Sequence, residues 1–216
     1  MFKNRCLVIE FGNSNIKIVC GIYKRKKLII YEYSIIPTPE NAFQNGEISN
    51  EEAIYSVLKE EIQRKKMKAN KVIFLVSSSN VITREIQLPK STEKEVEMIL
   101  KNEAQQFFPV NLKEYVYDYR VLEYISNNTG EFTNVLLVAV PVSIGEKFIS
   151  LAKSLNIKLE AIDVPVNSIL NIVSNIEKND LINIKADIYN QNFTFIELNK
   201  DTINVCIFSK NKLKNT

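Results

Sequence analysis

The chain has 216 residues, of which 45% are hydrophobic and 25% charged, a composition typical of a folded, soluble protein with one large domain or two small ones. Its net charge of +3 is too small to indicate nucleic acid as a partner. The absence of histidine excludes a Ser-His-Asp triad, a Cys-His pair and any imidazole-ligated metal site.

The cysteines and the apolar runs predict a cytoplasmic protein without a transmembrane span. Cys6, Cys20 and Cys206 are too few for a disulfide framework or a four-cysteine zinc site, and we expect buried thiols in a reducing compartment. The longest apolar run, Val135–Val142, is far shorter than the roughly 20 residues that span a bilayer. Residues 1–6 lack the features of a signal peptide.

The chain opens with a predicted three-stranded antiparallel meander. Cys6–Phe11, Asn15–Tyr23 and Lys27–Ile36 are apolar or alternating runs, separated by the turn signal Gly12–Ser14 and then by a basic turn. Pro37 ends the third run because proline removes a ladder donor.

A strand–helix–strand order follows the meander. Asn50 caps a helix predicted over Glu51–Lys66, whose apolar residues recur on one face, and Lys71–Val76 is the next strand. This order predicts an α/β sheet with a right-handed crossover.

Residues 78–140 have a different pattern. Thr92 and Glu95 form a capping box at the start of a helix that Pro109 ends. We expect this block to be a small subdomain of its own, because strand-like runs flank the helix. The runs are Val81–Leu88, Tyr115–Tyr124 and Thr133–Val140.

The last part of the chain predicts a helix over Ile144–Leu155, a strand over Ile157–Val164, a helix after Pro165 and alternating strands over Ile184–Lys212. With no helix to cover one face of those last strands, we expect exposed apolar surface there. That face would pack on the first lobe or on a partner, or another gene product would supply the rest.

An internal repeat suggests two related lobes. Glu10–Ile18 and Asp187–Phe195, about 177 residues apart, both read acid, apolar, x, Asn, x, Asn, apolar, x, apolar. Each lobe would then open with a β-turn-β unit and an acidic residue. The alternative is a chance likeness in an asparagine-rich chain.

The first of these turns is a candidate phosphate-binding hairpin. Gly12 lets backbone N–H groups approach an anion, and Lys17 is placed to balance phosphate charge. Glu10 is able to hold Mg²⁺ through water. The small polar residues Asn13, Ser14 and Asn15 add donors. An ordinary turn is the alternative interpretation.

The remaining charged residues suggest no catalytic pair. We expect Glu103 on a helix surface, Asp118 on the outward side of a strand and Asp163 as a helix N-cap. The basic runs Lys24–Lys27 and Arg64–Lys68 are interpreted as a solvated turn and a helix end. Contact with acidic lipid or a partner is the alternative for these runs.

Several segments, in order along the chain, carry a family resemblance. The distinctive ones are Glu103–Pro109 (EAQQFFP) and Tyr117–Leu122 (YDYRVL). The others are Ile9–Ile18, Val81–Pro89, Val135–Pro141 and Ala161–Val164. Together they resemble the PilM family, actin-like cytoplasmic proteins of type IV pilus machines, and more distantly FtsA. FtsA and sugar kinases lack the two distinctive segments.

The resemblance implies an α/β, actin-like (ribonuclease H-like) fold. Residues 1–77 and 141–180 would form its first subdomain, and residues 78–140 an inserted small α+β subdomain. Residues 181–216 would begin a truncated or degenerate second lobe.

The implied function is that of a scaffold at the inner face of the cytoplasmic membrane, beneath the pilus platform. Family members bind the cytoplasmic N-terminal peptide of a PilN-type membrane protein between the first and the extra subdomain, and ATP between the lobes. Other platform components and motor ATPases are further implied partners. The implied nucleotide-binding residues are Glu10, Gly12, Asn13, Ser14, Asn15, Lys17 and Asp187, with Mg²⁺ as the associated cation; no catalytic residue and no metal site of the protein's own is expected.

Departures from the family pattern lead us to expect weak or absent ATP binding and no turnover. Glu10 stands where the family has Asp, Tyr189 where it has Gly, and Pro165 where it usually has Glu. The glycine-rich adenosine segment would lie downstream of the last residue. Calorimetric titration showing micromolar affinity for nucleotide with Mg²⁺ would overturn this expectation.

Two other functions remain as alternatives. An active ATPase or small-molecule kinase would need both phosphate hairpins and a catalytic acid. An FtsA-like membrane tether would need a C-terminal amphipathic helix, whereas Lys210–Thr216 is short and polar.

Overall fold

The computed structural model describes residues 5–25, 27–175, 191–200, 203–209 and 212–215. These residues fall into two compact units. The first takes those within 1–79, 144–186 and 197–204, and the second those within 80–143, 187–196 and 205–216. The expected second lobe over 181–216 stays a prediction, since residues 176–190 lie outside the described residues.

The described elements are numbered in chain order. The strands are β1 (Cys6–Phe11), β2 (Asn15–Lys24), β3 (Lys27–Pro37), β4 (Phe43–Gln44), β5 (Glu47–Ile48), β6 (Lys71–Val76), β7 (Ile82–Pro89), β8 (Tyr115–Asn127), β9 (Gly130–Pro141), β10 (Lys158–Asp163), β11 (Asn192–Leu198), β12 (Ile203–Ser209) and β13 (Lys212–Asn215). The helices are α1 (Glu51–Arg64), α2 (Glu93–Phe107), α3 (Val142–Ser154) and α4 (Pro165–Asn175), with a short 3-10 helix at Leu112–Glu114.

The first unit contains a five-stranded sheet in the order β10-β6-β1-β2-β3. Strands β1, β2 and β3 pair antiparallel, which confirms the predicted meander, and β6 and β10 join the sheet in parallel. Glu10 pairs across the β1–β2 hairpin with Lys17, so both side chains lie on the same face.

One face of this sheet is buried under two helices. The ring of Phe11 lies 5.6 Å from that of Phe74 and 5.1 Å from that of Phe148 on α3. On the same face, the buried Ser34 of β3 donates a hydrogen bond to the buried Glu61 of α1. Helices α1 and α3 therefore cover the same side of the sheet.

The ends of α1 follow from local backbone chemistry. The side chain of Asn50 accepts a hydrogen bond from the N–H of Ala53 at 3.1 Å, which confirms the predicted cap. The helix ends at Arg64, two residues before the predicted end. Lys66 has a φ of 52°, and the N–H of Met67 reaches back to the carbonyl of Ile62 at 2.9 Å, so a left-handed residue terminates the helix.

The second unit contains a three-stranded sheet in the order β7-β9-β8 with α2 packed against it. The capping box of α2 is confirmed: Thr92 and Glu95 exchange hydrogen bonds at its first turn. The core between helix and sheet is made of aliphatic residues and Phe108. Its fully or nearly buried members are Leu88, Val96, Leu100, Phe108, Val135, Leu137 and Ala139.

The strands β11, β12 and β13 form a third sheet with one exposed apolar side. Alternation places Cys206 and Phe208 on the buried side, where the ring of Phe208 stacks on that of Phe193 at 4.8 Å. The exposed large apolar side chains are Ile196, Leu198, Ile203, Val205 and Ile207. The expectation of uncovered apolar surface is confirmed over these residues; residues 184–190 of the predicted strand region lie outside those described.

Cys6, Cys20 and Cys206 form no disulfide. Cys20 and Cys206 are buried as expected, whereas Cys6 is half-buried. Burial raises the pKa of the Cys6 and Cys20 thiols, which keeps them in the unreactive protonated form.

Candidate functional site

The β1–β2 turn forms one wall of a cavity of about 200 Å³ inside the first unit. The other walls are the β4–β5 turn, the loop Ser77–Ser79 after β6, Pro165 at the start of α4, and Asn199 with Lys200 after β11. The predicted site residues that line the cavity are Glu10, Gly12, Asn13, Ser14, Asn15 and Lys17. Asp187, the seventh, and Tyr189 lie outside the described residues.

Asn45 connects the walls of this cavity. Its backbone N–H donates to Oδ1 of Asn13 at 3.1 Å, and its side-chain amide donates to Oγ of Ser79 at 2.8 Å. The N–H of Ser79 donates back to Oδ1 of Asn45 at 2.8 Å. The β1–β2 turn and the loop after β6 are therefore fixed through one asparagine.

The turn between β1 and β2 is also held from inside. The N–H of Gly12 donates to the carbonyl of Asn15 at 3.0 Å, and Thr38 donates through its hydroxyl to the carbonyl of Gly12 at 2.7 Å. A Cβ at position 12 would lie 3.0 Å from the carbonyl oxygen of Asn15, which is a close contact. A side chain at this position would therefore force the turn to shift by a few tenths of an ångström.

Lys17 is one of two lysines that line the cavity, the other being Lys200, and Lys17 is already paired with a carboxylate. Its ammonium donates to Oε1 of Glu10 at 2.9 Å and to Oδ1 of Asn199 at 2.8 Å. The Glu10 carboxylate, on the neighbouring strand, cancels the charge that would attract a phosphate.

These residues fit a phosphate only in part. Hydroxyl and amide groups of Ser14, Ser78 and Asn13 line the cavity, but the N–H of Gly12 is engaged within the turn and Lys17 is paired with a carboxylate. The cavity is also smaller than the roughly 300–1,000 Å³ of typical small-molecule sites.

None of the three other carboxylates singled out in the sequence lines the cavity. Glu103 is exposed on α2, and Asp118 is exposed on β8, as expected. Asp163 accepts from the N–H of Val164 at 2.8 Å and from the side chain of Asn167 at 3.0 Å. Asp163 therefore contacts the first turn of α4 from two residues before Pro165, where the helix begins. The prediction that Asp163 is the N-cap is wrong.

The described residues contain neither a cluster of metal ligands nor a helix suited to span a membrane. No three side chains among their cysteines, aspartates and glutamates are grouped to hold a metal ion. None of the helices in the described ranges is both long and apolar enough to cross a membrane.

Sequence reasoning missed the β4–β5 hairpin, which supplies Asn45. The signal was present: Asn45-Gly46 is a dipeptide typical of two-residue hairpin turns, and both residues have positive φ, 49° and 84°. A Cβ on Gly46 would lie 2.5 Å from the Cβ of Ser78, so glycine is also required by the approach of the loop after β6.

In the second unit, most aromatic residues belong to the core. Phe107, Tyr115 and Tyr119 pack against the buried cluster, as expected for Phe107, and Phe108 is part of it. Tyr117 is exposed along one side, while its hydroxyl donates to the carbonyl of Leu100 at 3.1 Å.

A family model described as type IV pilus assembly protein PilM matches residues 8–213. The chain belongs to the PilM family. This PilM-family chain is similar to a protein chain in the solved PilM–PilN type IV pilus biogenesis complex, with a TM-score of 0.78 and 20% identity. The likeness covers 97% of this chain and 60% of that one, so the chain spans about 60% of the length of that relative.

A second solved structure shares the fold more distantly. It is the cytoplasmic domain of EpsL, an inner membrane component of the type II secretion system of Vibrio cholerae. The TM-score is 0.53 at 10% identity, and the likeness covers 97% of this chain and 70% of that one. The actin-like α/β fold predicted from the sequence motifs is confirmed.

Proposed function

We propose that this PilM-family chain is a cytoplasmic scaffold of the type IV pilus inner-membrane platform, and that it binds the cytoplasmic N-terminal peptide of a PilN-type membrane protein. The observation that carries the proposal is the family match over residues 8–213. The fold shared with a chain of a PilM–PilN complex supports it. Peptide binding would hold the protein at the inner face of the membrane, where other platform components and motor ATPases are its further proposed partners.

Within the second unit, β8 is our proposed edge for an extended peptide. It is an outer strand of the β7-β9-β8 sheet, and the side chain of Val116 on it is 55% exposed. Tyr117 is also exposed in part. An added strand would gain main-chain hydrogen bonds from β8 and apolar contact with these side chains.

We propose further that the chain binds ATP weakly or not at all and does not hydrolyse it. The pairing of Lys17 with Glu10, the internal hydrogen bond of Gly12 and the small cavity support this proposal. Strong phosphate sites instead present unpaired cations and free backbone N–H groups to the anion.

A fluorescence titration tests the peptide proposal. The whole chain is titrated into the labelled N-terminal peptide of a PilN-type protein from the same organism, with a scrambled peptide as reference. Saturable binding of the native peptide alone is expected, and no binding at high micromolar concentration would contradict the proposal.

The position of the peptide is tested with two matched variants. Val116→Asp places a charge on the β8 edge and should weaken binding at least about tenfold, because the apolar contact is lost. Met98→Asp changes a side chain of similar exposure, 58%, on α2 and should leave binding unchanged. Equal affinities for both variants would exclude β8 as the docking edge.

A further inference from the structure

The fold gathers the two basic runs of the sequence at one end of the first unit's sheet. Cys6, which begins β1, pairs with Gly21 near the end of β2 and with Lys71 at the start of β6. The C-terminal end of α1 reaches the same place, because Lys65 pairs with Glu32 of β3 at 3.3 Å. The basic pole is defined by Arg5, Lys24, Arg25, Lys27, Lys65, Lys66, Lys68 and Lys71.

One backbone hydrogen bond and one side-chain contact fix this arrangement. The N–H of Asn70 donates to the carbonyl of Arg5 at 3.3 Å, and the thiol of Cys20 lies 3.9 Å from the carbonyl of Lys68. These contacts join residues that are 65 and 48 positions apart in sequence. The two basic runs therefore form one charged surface patch, not two separate solvated loops.

Acidic residues neutralise only part of the basic pole. Glu32 pairs with Lys65, and Glu160 pairs with Lys71 at 3.0 Å. Residues 23–31 contain no acidic residue. Lys24, Arg25 and Lys27 form no ion pair with any residue that the structure describes.

Large apolar residues adjoin these cations in the sequence on both sides of the turn. They extend from the end of β2 into β3, the outer strand of the sheet, and their exposed fractions run from 44% for Ile29 to 64% for Tyr23. The full set is Tyr23, Leu28, Ile29, Ile30 and Tyr31. Four of these residues are consecutive, so both faces of the ribbon are apolar and exposed.

We propose that the β2–β3 hairpin at the basic pole inserts into the headgroup region of an anionic membrane. The positive charge is complementary to acidic phospholipid headgroups. A lipid surface also surrounds an inserted ribbon on all sides, whereas a protein strand added to β3 or packed on one face would leave the other face in water. Tyrosine beside lysine and arginine is the composition found at membrane interfaces.

This contact is separate from the proposed peptide binding. The peptide would hold the chain to a membrane protein, and the hairpin would orient the first unit against the bilayer itself. The lipid contact needs no peptide and is measured without one.

Vesicle co-sedimentation of the whole chain tests the proposal. Vesicles of equal parts phosphatidylcholine and phosphatidylglycerol should bind the protein, pure phosphatidylcholine vesicles should not, and added salt should release it. No sedimentation with the anionic vesicles, or equal sedimentation with both kinds, would overturn the proposal. If the hairpin binds an acidic peptide instead of lipid, the protein will not sediment with the anionic vesicles.

A charge-matched pair of variants locates the contact. Each cation near an anionic surface raises partitioning about fivefold, so the combined K24Q, R25Q and K27Q variant should lose about a hundredfold. The combined K94Q, K101Q and K147Q variant removes the same net charge at exposed lysines elsewhere and should retain nearly all binding. Equal losses in the two variants would overturn the assignment to the hairpin.

Insertion is distinguished from surface attraction by a reporter. The chain contains no tryptophan, so Ile30→Trp supplies a single fluorophore within the exposed ribbon. Its emission should shift to shorter wavelength with anionic vesicles and remain unchanged with neutral ones. An unshifted emission while the protein sediments would contradict insertion. The combined K24Q, R25Q and K27Q variant should bind the PilN-type peptide as tightly as the unaltered chain does. This result separates the lipid contact from the proposed function.

Discussion

Replacement of Glu61 by alanine should destabilise the first unit through a neighbour, the buried hydroxyl of Ser34. Glu61 lies on α1 with a side chain only 7% exposed, and it accepts hydrogen bonds from Ser34 on β3 and from Arg64. The contact joins the helix to the sheet. Arg64 approaches Glu61 at 2.6 Å, but its own side chain is 60% exposed.

The size of the expected stability loss follows from these exposed fractions. In Glu61→Ala the Ser34 hydroxyl stays buried without an acceptor, which costs about 1–3 kcal/mol. Loss of one buried methylene adds about 0.8 kcal/mol. Arg64 regains water and contributes little. We therefore expect the free energy of unfolding to fall by about 2–4 kcal/mol.

Urea denaturation of four proteins measures this effect: the unaltered chain, Glu61→Ala, Ser34→Ala and the double variant. Because the orphaned hydroxyl is the main cost, Ser34→Ala should destabilise the unaltered chain but should be neutral or stabilising in the Glu61→Ala background. If the two single effects simply add, the hydrogen bond is not the source of the stability and the reasoning is refuted.

The same carboxylate gives a pH dependence. The hydrogen bond from Arg64, and next that from Ser34, lower the pKa of Glu61 below its usual value, against the effect of burial. A lowered pKa in the folded state stabilises the protein above the ordinary pKa of glutamate, and this contribution is lost as the pH falls through the folded-state pKa. Glu61→Gln keeps an acceptor for Ser34 and should reduce the loss of stability on the acid side.

Two further predictions concern a turn and the tail. Gly46→Ala should lower the free energy of unfolding by about 2 kcal/mol or more, because φ is 84° and the new Cβ would meet Ser78. The control Gly145→Ala, in open space on α3, should stabilise the protein by about 0.5–1 kcal/mol. Equal urea midpoints for the two variants would contradict the account. Glu123→Ala should speed amide hydrogen exchange in β13, since that buried carboxylate pairs with Lys212 and with Lys214 at 3.5 Å, and unchanged exchange would show that the ion pairs do not hold the tail strand.

Most of the strand and helix positions follow from local signals. The β1–β3 meander was predictable because Gly12–Ser14 and the basic turn interrupt runs of alternating hydrophobicity. Asn50 and the Thr92–Glu95 box act on backbone groups within one helical turn, so the helix starts needed no tertiary information. The end of α1 was less certain because the left-handed residue that ends it is a lysine, not a glycine.

The candidate site was only partly predictable, because its geometry depends on residues distant in sequence. The cross-strand approach of Glu10 to Lys17 follows from hairpin register. The contact of Lys17 with Asn199 joins segments 182 positions apart, and no local pattern specifies it. Asn45 was predictable from its turn dipeptide, but its bonds to Asn13 and Ser79 were not.

The exposed residues of β3 show that a strand can be predicted correctly while the burial of its side chains is not. Alternation over Lys27–Ile36 correctly predicts a strand, and in most sheets it would also predict one buried face. Here a register shift opposite Cys20 and Gly21 introduces an extra residue, and Leu28–Tyr31 are exposed on both sides. Burial at an edge strand depends on what covers it, which the strand's own sequence does not encode.

Calorimetric titration of the whole chain with the PilN-type N-terminal peptide, with and without MgATP, tests the proposed scaffold most directly. The account predicts saturable peptide binding with the same dissociation constant in both conditions, and no micromolar binding of MgATP alone. Peptide binding that requires MgATP, micromolar affinity for MgATP itself, or no heat with the peptide in either condition would contradict it.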